Sequence, residues 1–576
     1  MTTAVQELAS GTSPVAMKRT LSLWGLMMNA MALIAPGAFL WTTFQIQAAQ
    51  TSGGITTGGE MWTGLVIALV IAFLTAFSYS ELARIYPTAG AGSSYFYSEA
   101  AFLDQKASRR RWAVVAKFAV GWVAHLYYWI YPGIMVAFTA ILVGYVLSVF
   151  NVILPMWELV AIAVAFALVN GFVAYRGIHG STLTSAIINA IQLVSLIVFS
   201  ILAIMYRQMH PEIGYATSAS SIIIPHNFTN LLFQSTIAIL LLVGFESVTA
   251  LGAESVDPKR DIRKAAILSL AIQGGFAYLF EYFAANYFVG NQITSVTTGG
   301  QVISGYGAVA ASAAPIGDML RIIGDTMLRG TGPILALIVA GTVIVALIGT
   351  TLACMNTAVR VTYSIGKDSD VPVPSIFANL HQKHATPHLG ILVMVGVSAA
   401  IGAYGVLNID NLTQITLASN TGTFLVYAAT NLIALIAFLD RRGSRFLQHK
   451  LIPAAGFSAN VFMLAAVVYL SLKGGGTTST DTTVALSMVM LWIVVGAGYY
   501  VINRRRRGYP LLMDASFQSP NYVCGCSREQ GCSCLLLEQL EGLTNQVSDM
   551  FKKHKLNVVQ THRLMTAAQE ELNKLG

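Results

Sequence analysis

From Leu21 to Ile502 the chain is a succession of apolar runs, most reaching or exceeding the roughly 20 residues that cross a hydrocarbon core, joined by short polar loops. This pattern leaves few folds open. Inside a bilayer every backbone N–H and C=O must find its partner within the protein, so runs of this length fold as helices. Only 10% of the residues are charged, against about 25% in soluble domains, so the runs are not cores of a water-soluble protein. Hydropathy places spans at about 20–48, 61–85, 114–147, 154–175, 180–206, 230–254, 264–290, 331–364, 387–406, 412–440, 451–473 and 482–503. The expectation is an all-α polytopic membrane protein with twelve transmembrane helices. Residues 1–19 form an N-terminal tail, 20–505 the membrane unit and 506–576 a C-terminal tail. The N-terminus lacks the compact basic–apolar–small pattern of a cleaved signal peptide, so the first span is read as retained.

The basic residues orient these spans. One set of loops holds Lys18, Arg19, Arg84, Lys106, Arg109 to Arg111, Lys117, Arg176, Lys259, Arg260, Arg263 and Lys264. The same side carries Arg360, Lys367, Lys383, Arg441, Arg442, Arg445, Lys450 and Arg504 to Arg507. The opposite loops hold only Arg207, Arg321, Arg329 and Lys473. By the positive-inside rule both termini lie in the cytoplasm and the protein sits in the cytoplasmic membrane. The net charge of +8 is thus a topology signal, and it points to the lipid bilayer as partner and not to nucleic acid.

Two spans are interrupted. In the sixth, Gly244-Phe245-Glu246 sets a helix-weakening glycine and a carboxylate in an apolar run. Glycine costs about 1 kcal/mol against alanine in a helix, and a mid-membrane carboxylate roughly 2.5–3.5 kcal/mol. In the first, Ala35-Pro36-Gly37-Ala38-Phe39 removes a backbone donor and loosens the chain. Five helices separate the breaks, an odd number, so two five-helix repeats would have opposite orientations. Paired interrupted helices at matching positions point to a binding site at a repeat interface, here for a small polar molecule.

Four further segments carry a family resemblance. They are Ser78 to Ala100 (SYSELARIYPTAGAGSSYFYSEA); Asn170 with Tyr175-Arg176-Gly177-Ile178; Gly244-Phe245-Glu246 with Glu254, Pro258, Arg260, Ile262 and Ala265; and Asn356, Arg360 and Tyr363 with Thr386-Pro387. Their order resembles the amino acid–polyamine–organocation superfamily, the amino-acid permeases, over residues 18 to 505. The resemblance implies a 5+5 inverted repeat, about 20–206 and 230–440, with discontinuous helices 1 and 6 and two extra helices at about 451–503. It also implies secondary active transport of an amino acid or related amine by alternating access. Proton-linked uptake is the leading mechanism and exchange the alternative; a ligand sensor on the permease fold, signalling through its Cys-rich tail, is the reading from another class. An enzyme is not expected, because no nucleophile–base or metal constellation lies in the spans.

On that fold the substrate lies between the first and sixth spans. Backbone donors around Ala35, Pro36, Gly37, Ala38 and Phe39 would take a carboxylate, favoured by the helix dipole. Carbonyls near Leu240, Leu241, Val243 and Gly244 would take an ammonium. Glu246, Glu281 and Gln192 are the candidates for proton coupling; Glu246 could instead hold neighbouring helices, and Glu281, which matches no family motif, could have a packing or interfacial role. His125 reads as a structural histidine. Gln192 falls where some members carry a lysine that replaces sodium, and Leu240 where some carry an aromatic gate, so neither device is expected here. Thr350 and Thr351 keep sodium coupling open. Glu254, Arg260 and Arg360 are candidates for a cytoplasmic gate, and the segment near Ala314 to Leu328 for an outer cap.

The tail departs from the family pattern. Cys524, Cys526, Cys532 and Cys534 form two close thiol pairs that could hold zinc, although structural zinc usually uses a Cys-x2-Cys spacing. Otherwise no cofactor is required. Leu536, Leu540, Leu543, Val547 and Met550 make a short heptad seam for self-association or a cytoplasmic partner.

Overall fold

A computed structural model describes residues 21–34, 38–86, 94–105, 107–176, 182–211, 218–251, 255–296, 300–366, 375–381, 386–439, 441, 443–506 and 511–512. The helices run α1 (Leu23–Ile34), α2 (Ala38–Ala49), α3 (Met61–Ile85), α4 (Ser94–Leu103), α5 (Ala113–Val149), α6 (Met156–Tyr175), α7 (Thr182–Met209) and α8 (Phe228–Ala238, tightened into a final turn at Ile239–Leu241). They continue as α9 (Pro258–Phe288), α10 (Pro315–Met327), α11 (Gly332–Gly366), α12 (His388–Val406), α13 (Ile409–Ala437), α14 (Ile452–Lys473) and α15 (Gly476–Arg506). Two antiparallel hairpins, Thr51–Ser52 with Ile55–Thr56 and Thr294–Val296 with Val302–Ser304, sit in loops.

Among the described residues eleven helices are long and apolar enough to cross a membrane, where twelve were expected. The sixth expected span is the short apolar stretch Phe228–Leu241, because regular helix stops before Gly244-Phe245-Glu246. The seventh begins earlier than hydropathy placed it. Pro258 stands in its first turn and the Asp257 side chain accepts the Arg260 N–H, so a polar turn is capped onto the apolar helix.

Helices that meet the broken segments are apolar and polar on buried faces alike, whereas the periphery is apolar outward. Leu168, Val169 and Phe172 of α6 and Leu491, Val494 and Val495 of α15 are exposed, as lipid-facing side chains must be. The last helix is pinned to α5 by a reciprocal pair. Trp122 Nε1–H donates to Trp492 O (2.8 Å) and Trp492 Nε1–H to Trp122 O (2.9 Å), with the rings stacked at 4.7 Å.

Polar ties close the two ends of the bundle. Glu81 at the end of α3 binds Arg84 (2.8 Å), Arg263 of α9 (3.4 Å) and His449 in the turn before α14 (3.3 Å). Lys117 of α5 is buried against Glu99 of α4 at 2.7 Å and lies over the Tyr95 ring. At the opposite end lies α10, a helix within the segment expected to form an outer cap. Its Asp318 accepts the hydroxyls of Tyr145 (3.2 Å) and Ser312 (2.5 Å), and Gln45 of α2 reaches Ala310 O (3.2 Å). Burial pushes the Asp318 carboxyl above its ordinary value, against the lowering effect of the two hydroxyls and of Arg321.

Removing one charge of a buried ion pair costs about 3–5 kcal/mol. Lys117→Met is therefore expected to lower the unfolding midpoint of the purified protein markedly, and Lys117→Met with Glu99→Gln to recover part of the loss. Equal midpoints for wild type and Lys117→Met would show that the pair does not hold α4 to the bundle.

Candidate functional site

The end of α8 is a built interruption. After the tight turn Ile239–Leu241 the backbone turns through Leu242–Glu246 and resumes as a single helical turn, Ser247–Ala250. Gly244 has φ +130, a region that L side chains rarely adopt. A Cβ at this position would lie 2.8 Å from Leu33 Cβ and 3.2 Å from Ile34 N. Only glycine allows this approach, and it sets the break directly on the last turn of α1. Ala35, Pro36 and Gly37 follow that turn and lie outside the described residues, as does the Ala38 side chain; α2 starts at Ala38.

Glu246 holds the break. Its Oε2 accepts the Gly244 N–H (3.0 Å) and the Tyr427 hydroxyl (3.1 Å), and its Oε1 accepts the Tyr127 hydroxyl (3.2 Å). One carboxyl thus joins the broken segment to α5 and α13. Phe245 adds ring contacts to Tyr79 (6.1 Å) and Tyr427 (5.6 Å).

A broken helix leaves carbonyls without intrahelical partners, and here side chains of other spans take them. The carbonyl end of α1 receives Gln273 of α9 on Met31 O (2.9 Å), Thr350 of α11 on Ala32 O (2.9 Å) and Tyr278 of α9 on Ile34 O (2.8 Å), while Asn189 of α7 meets Met28 O (3.2 Å) further back within the helix. The end of α8 receives Asn420 of α13 on Thr236 O (2.8 Å) and Ile237 O (3.2 Å), and Tyr131 of α5 on Leu240 O (3.2 Å). Gln273 and Tyr278 are five residues apart, about 140° around an α-helix. They serve the same helix end because α9 widens into a π-helix over Ala271–Tyr278, whose i→i+5 bonding brings such residues nearer to line. Gly274 inside it lets Leu242 of the break pack close, at 2.8 Å from an added Cβ.

The sequence candidates fall into three groups. Phe39, Leu240, Leu241, Val243 and Gly244 are brought together around the junction, with Phe39 against Tyr131 (5.8 Å) and Phe138 (6.3 Å). The Gly244 carbonyl, expected to meet a ligand ammonium, accepts the Ser247 N–H (3.1 Å), since the helix restarts there, and keeps one lone pair. Gln192 lies beside the α1 collar, sharing a small cavity with Ala32, Asn189 and Thr350, and donates to Thr342 O (3.5 Å). Thr351 bonds its own turn at Leu347 O, while Thr350 crosses to α1. His125 contacts Gly121 O one turn back.

The second group is displaced. Arg260 pairs within its own segment, with Asp261 (2.9 Å) and Asp257 (3.9 Å). Its helix turn places those carboxylates nearest. The contacts across spans are instead those of Glu81, Arg263 and His449. Arg360 belongs to the C-terminal part of α11. The third group, Glu254 and Cys524, Cys526, Cys532 and Cys534, lies outside the described residues. Among the described residues no group of three or more His, Cys, Asp or Glu side chains could hold a metal ion.

Two broken helices meeting end to end within a bundle of membrane helices define a polytopic transporter of the permease type. A family model described as amino acid permease matches residues 19–495. The chain is 27% identical over 439 residues to the low-affinity putrescine importer PlaP of Escherichia coli K12, covering 75% of this chain and 83% of that protein. It is 21% identical over 529 residues to the branched-chain amino acid permease BcaP of Bacillus subtilis, covering 87% and 97%. It is also similar to the methylthioribose transporter of Bacillus subtilis, at 23% over 479 residues. The chain belongs to the amino acid permease family.

Asn189, Gln273, Tyr278 and Asn420 were not singled out in the sequence. The usable signal was a polar side chain inside an apolar span, and that signal gives no partner.

Gly244→Ala would add both backbone strain and a clash with Leu33, together about 1–3 kcal/mol or more. The variant is expected to unfold at lower temperature and to lose ligand binding. Wild-type behaviour in both measurements would mean that the break does not rest on α1.

Proposed function

We propose that the chain is a secondary active carrier that moves an amino acid or related amine across the cytoplasmic membrane by alternating access, with the proton as coupling ion. The apposition of Gly244 on Leu33 and Ile34 is the observation that carries this reading. It brings the carbonyl ends of α1 and α8 together, with α2 beginning four residues after α1 ends. N–H groups in the first turn of α2, from Ala38 and Phe39 onward, suit a carboxylate, and the carbonyl end of the break suits an ammonium. Relatives named for putrescine and for branched-chain amino acids support this substrate range.

The arrangement is a 5+5 inverted repeat with two added helices, in twelve crossings, α1 with α2 forming the first and α8 through Ala250 the sixth. The donors support it. Asn189 and Asn420 lie on the fifth and tenth crossings and serve the first and sixth; Thr350 and Tyr131 lie on the eighth and third and do the same. The membrane unit is bounded at 20–505, and both termini face the cytoplasm, which agrees with the basic loops. Residues 506–576, with the four-thiol cluster and the heptad seam, form a cytoplasmic regulatory tail.

Glu246 couples the proton to movement. Three donors converge on its two oxygens. Adding a proton turns one oxygen into a donor, which no longer suits a facing N–H or hydroxyl, so one of the three ties must release or turn. Substrate binding at the break and protonation of Glu246 then act on the same few atoms.

Uptake of labelled amino acids and amines into proteoliposomes under an inward proton gradient tests the reading. Specific binding without flux would sink it. Glu246→Gln is expected to lose the pH dependence of uptake, and an unchanged pH–uptake profile would remove Glu246 from coupling.

A further inference from the structure

Glu281 stands in the C-terminal half of α9, fully buried, and neither carboxyl oxygen has a hydrogen-bond partner among the described residues. Its direction follows from its neighbours. Tyr278, Glu281, Ala285 and Phe288 recur at the spacing of one helix face, and all are buried. At one end of this face the Tyr278 hydroxyl holds Ile34 O, at the edge of the break in α1 (2.8 Å). At the other, the Phe288 ring packs on Tyr206 of α7 (4.9 Å). Glu281 therefore points inward, one helical turn from the substrate gap, where residues three apart lie about 5–6 Å from each other.

The surroundings are aromatic. Tyr278 and Tyr282 flank the carboxyl in sequence with ring centroids 6.5 Å apart, and Phe44 of α2 lies 5.8 Å from Tyr282. The hydroxyls of these tyrosines are committed elsewhere, Tyr278 to Ile34 O and Tyr282 to Gln47 Oε1 (2.7 Å). Protonation does not satisfy the group, since a neutral carboxyl still has an acceptor oxygen without a donor and an O–H without an acceptor. A buried polar group of this kind is costly unless a partner arrives. A hard metal ion takes about six oxygen ligands, and the nearby hydroxyls already serve backbone and amide acceptors. A buried carboxylate in a segment this rich in aromatic rings suits an alkylammonium, which gains the ion pair and, against a neighbouring ring, cation–π contact.

We propose that Glu281 binds the cationic nitrogen of an organic amine substrate. This deepens the carrier reading and rests on it: one end of the substrate is held at the helix breaks, and Glu281 selects molecules with a further ammonium, linear diamines and amino acids with cationic side chains. Its position one turn beyond Tyr278 makes it a determinant of substrate length as well as charge.

The test is equilibrium binding of radiolabelled 1,4-diaminobutane and of L-leucine to the full chain in nanodiscs, for wild type, Glu281→Gln and Glu281→Asp, with melting temperature as the folding control. Wild type is expected to bind the diamine, Glu281→Gln to weaken it at least about ten-fold without a matching change for leucine, and Glu281→Asp to recover part of the affinity. Diamine affinity unchanged in Glu281→Gln overturns the proposal, and so does a wild type that binds no diamine. A Glu281-dependent stabilisation by sodium chloride alone, with diamine binding intact in Glu281→Gln, overturns it in favour of a metal ion. A chain that binds diamine through Glu281 and transports nothing supports the subsite and fails the carrier reading instead.

Discussion

The structure depends on what happens to backbone carbonyls when a helix ends inside a membrane. Each such group needs a donor from the protein, because hydrocarbon offers none. At the end of α1 the donors are Gln273, Thr350 and Tyr278, with Asn189 further back within the helix, and at the end of α8 they are Asn420 and Tyr131. Each net hydrogen bond contributes about 1 kcal/mol, but leaving its acceptor unpaired costs more. The polar side chains buried in α7, α9, α11 and α13 are thus the condition on which the two breaks exist. Even the π-helix in α9 fits this account, since it lets two donors reach one helix end.

These ties also divide the molecule. The α1 end is held by α7, α9 and α11, whereas the α8 end and Glu246 are held by α5 and α13. The two halves of the gap therefore have different supports, joined where Gly244 lies on Leu33 and Ile34. A movement that separates the supports must open that contact first. Glu81 with Arg263 and His449 closes one end of the bundle, and Asp318 with Tyr145 anchors α10 at the other. Both are polar clusters near the ends of spans, where water can replace lost partners, so they can break and reform more cheaply than the collars at mid-membrane.

Much of this fold was legible in the sequence, for physical reasons that can be named. Span length follows from bilayer thickness, and the basic loops from insertion, so both leave local marks. The break at Gly244 was visible because glycine and glutamate are each unfavourable in an apolar helix. What could not be read were partners. Tyr427 meets Glu246 across 181 residues and His449 meets Glu81 across 368; nothing local records either. Arg260 pairs here with Asp257 and Asp261, which are adjacent in sequence, whereas the gate expectation had looked to other spans. The count of long helices among the described residues falls one short of twelve because the sixth span, expected to be interrupted at Gly244-Phe245-Glu246, is too short to count.

Hydrogen bonding also separates the groups that build the site from those left to read a ligand. Asn189, Thr350 and Glu246 are committed to neighbours, and a substitution there disturbs the breaks before it disturbs recognition. In the proposed site, backbone atoms at the breaks would meet the groups every amino acid shares, and so could not tell one side chain from another. Discrimination has to come from side chains that face the gap without being spent on it. On the proposed reading Phe39 offers an apolar face and Glu281 a charge, and a carboxyl with no donor among the described residues is the stronger selector. A ligand that lacks an ammonium leaves it unpaired, whereas one that carries an ammonium removes the penalty on binding.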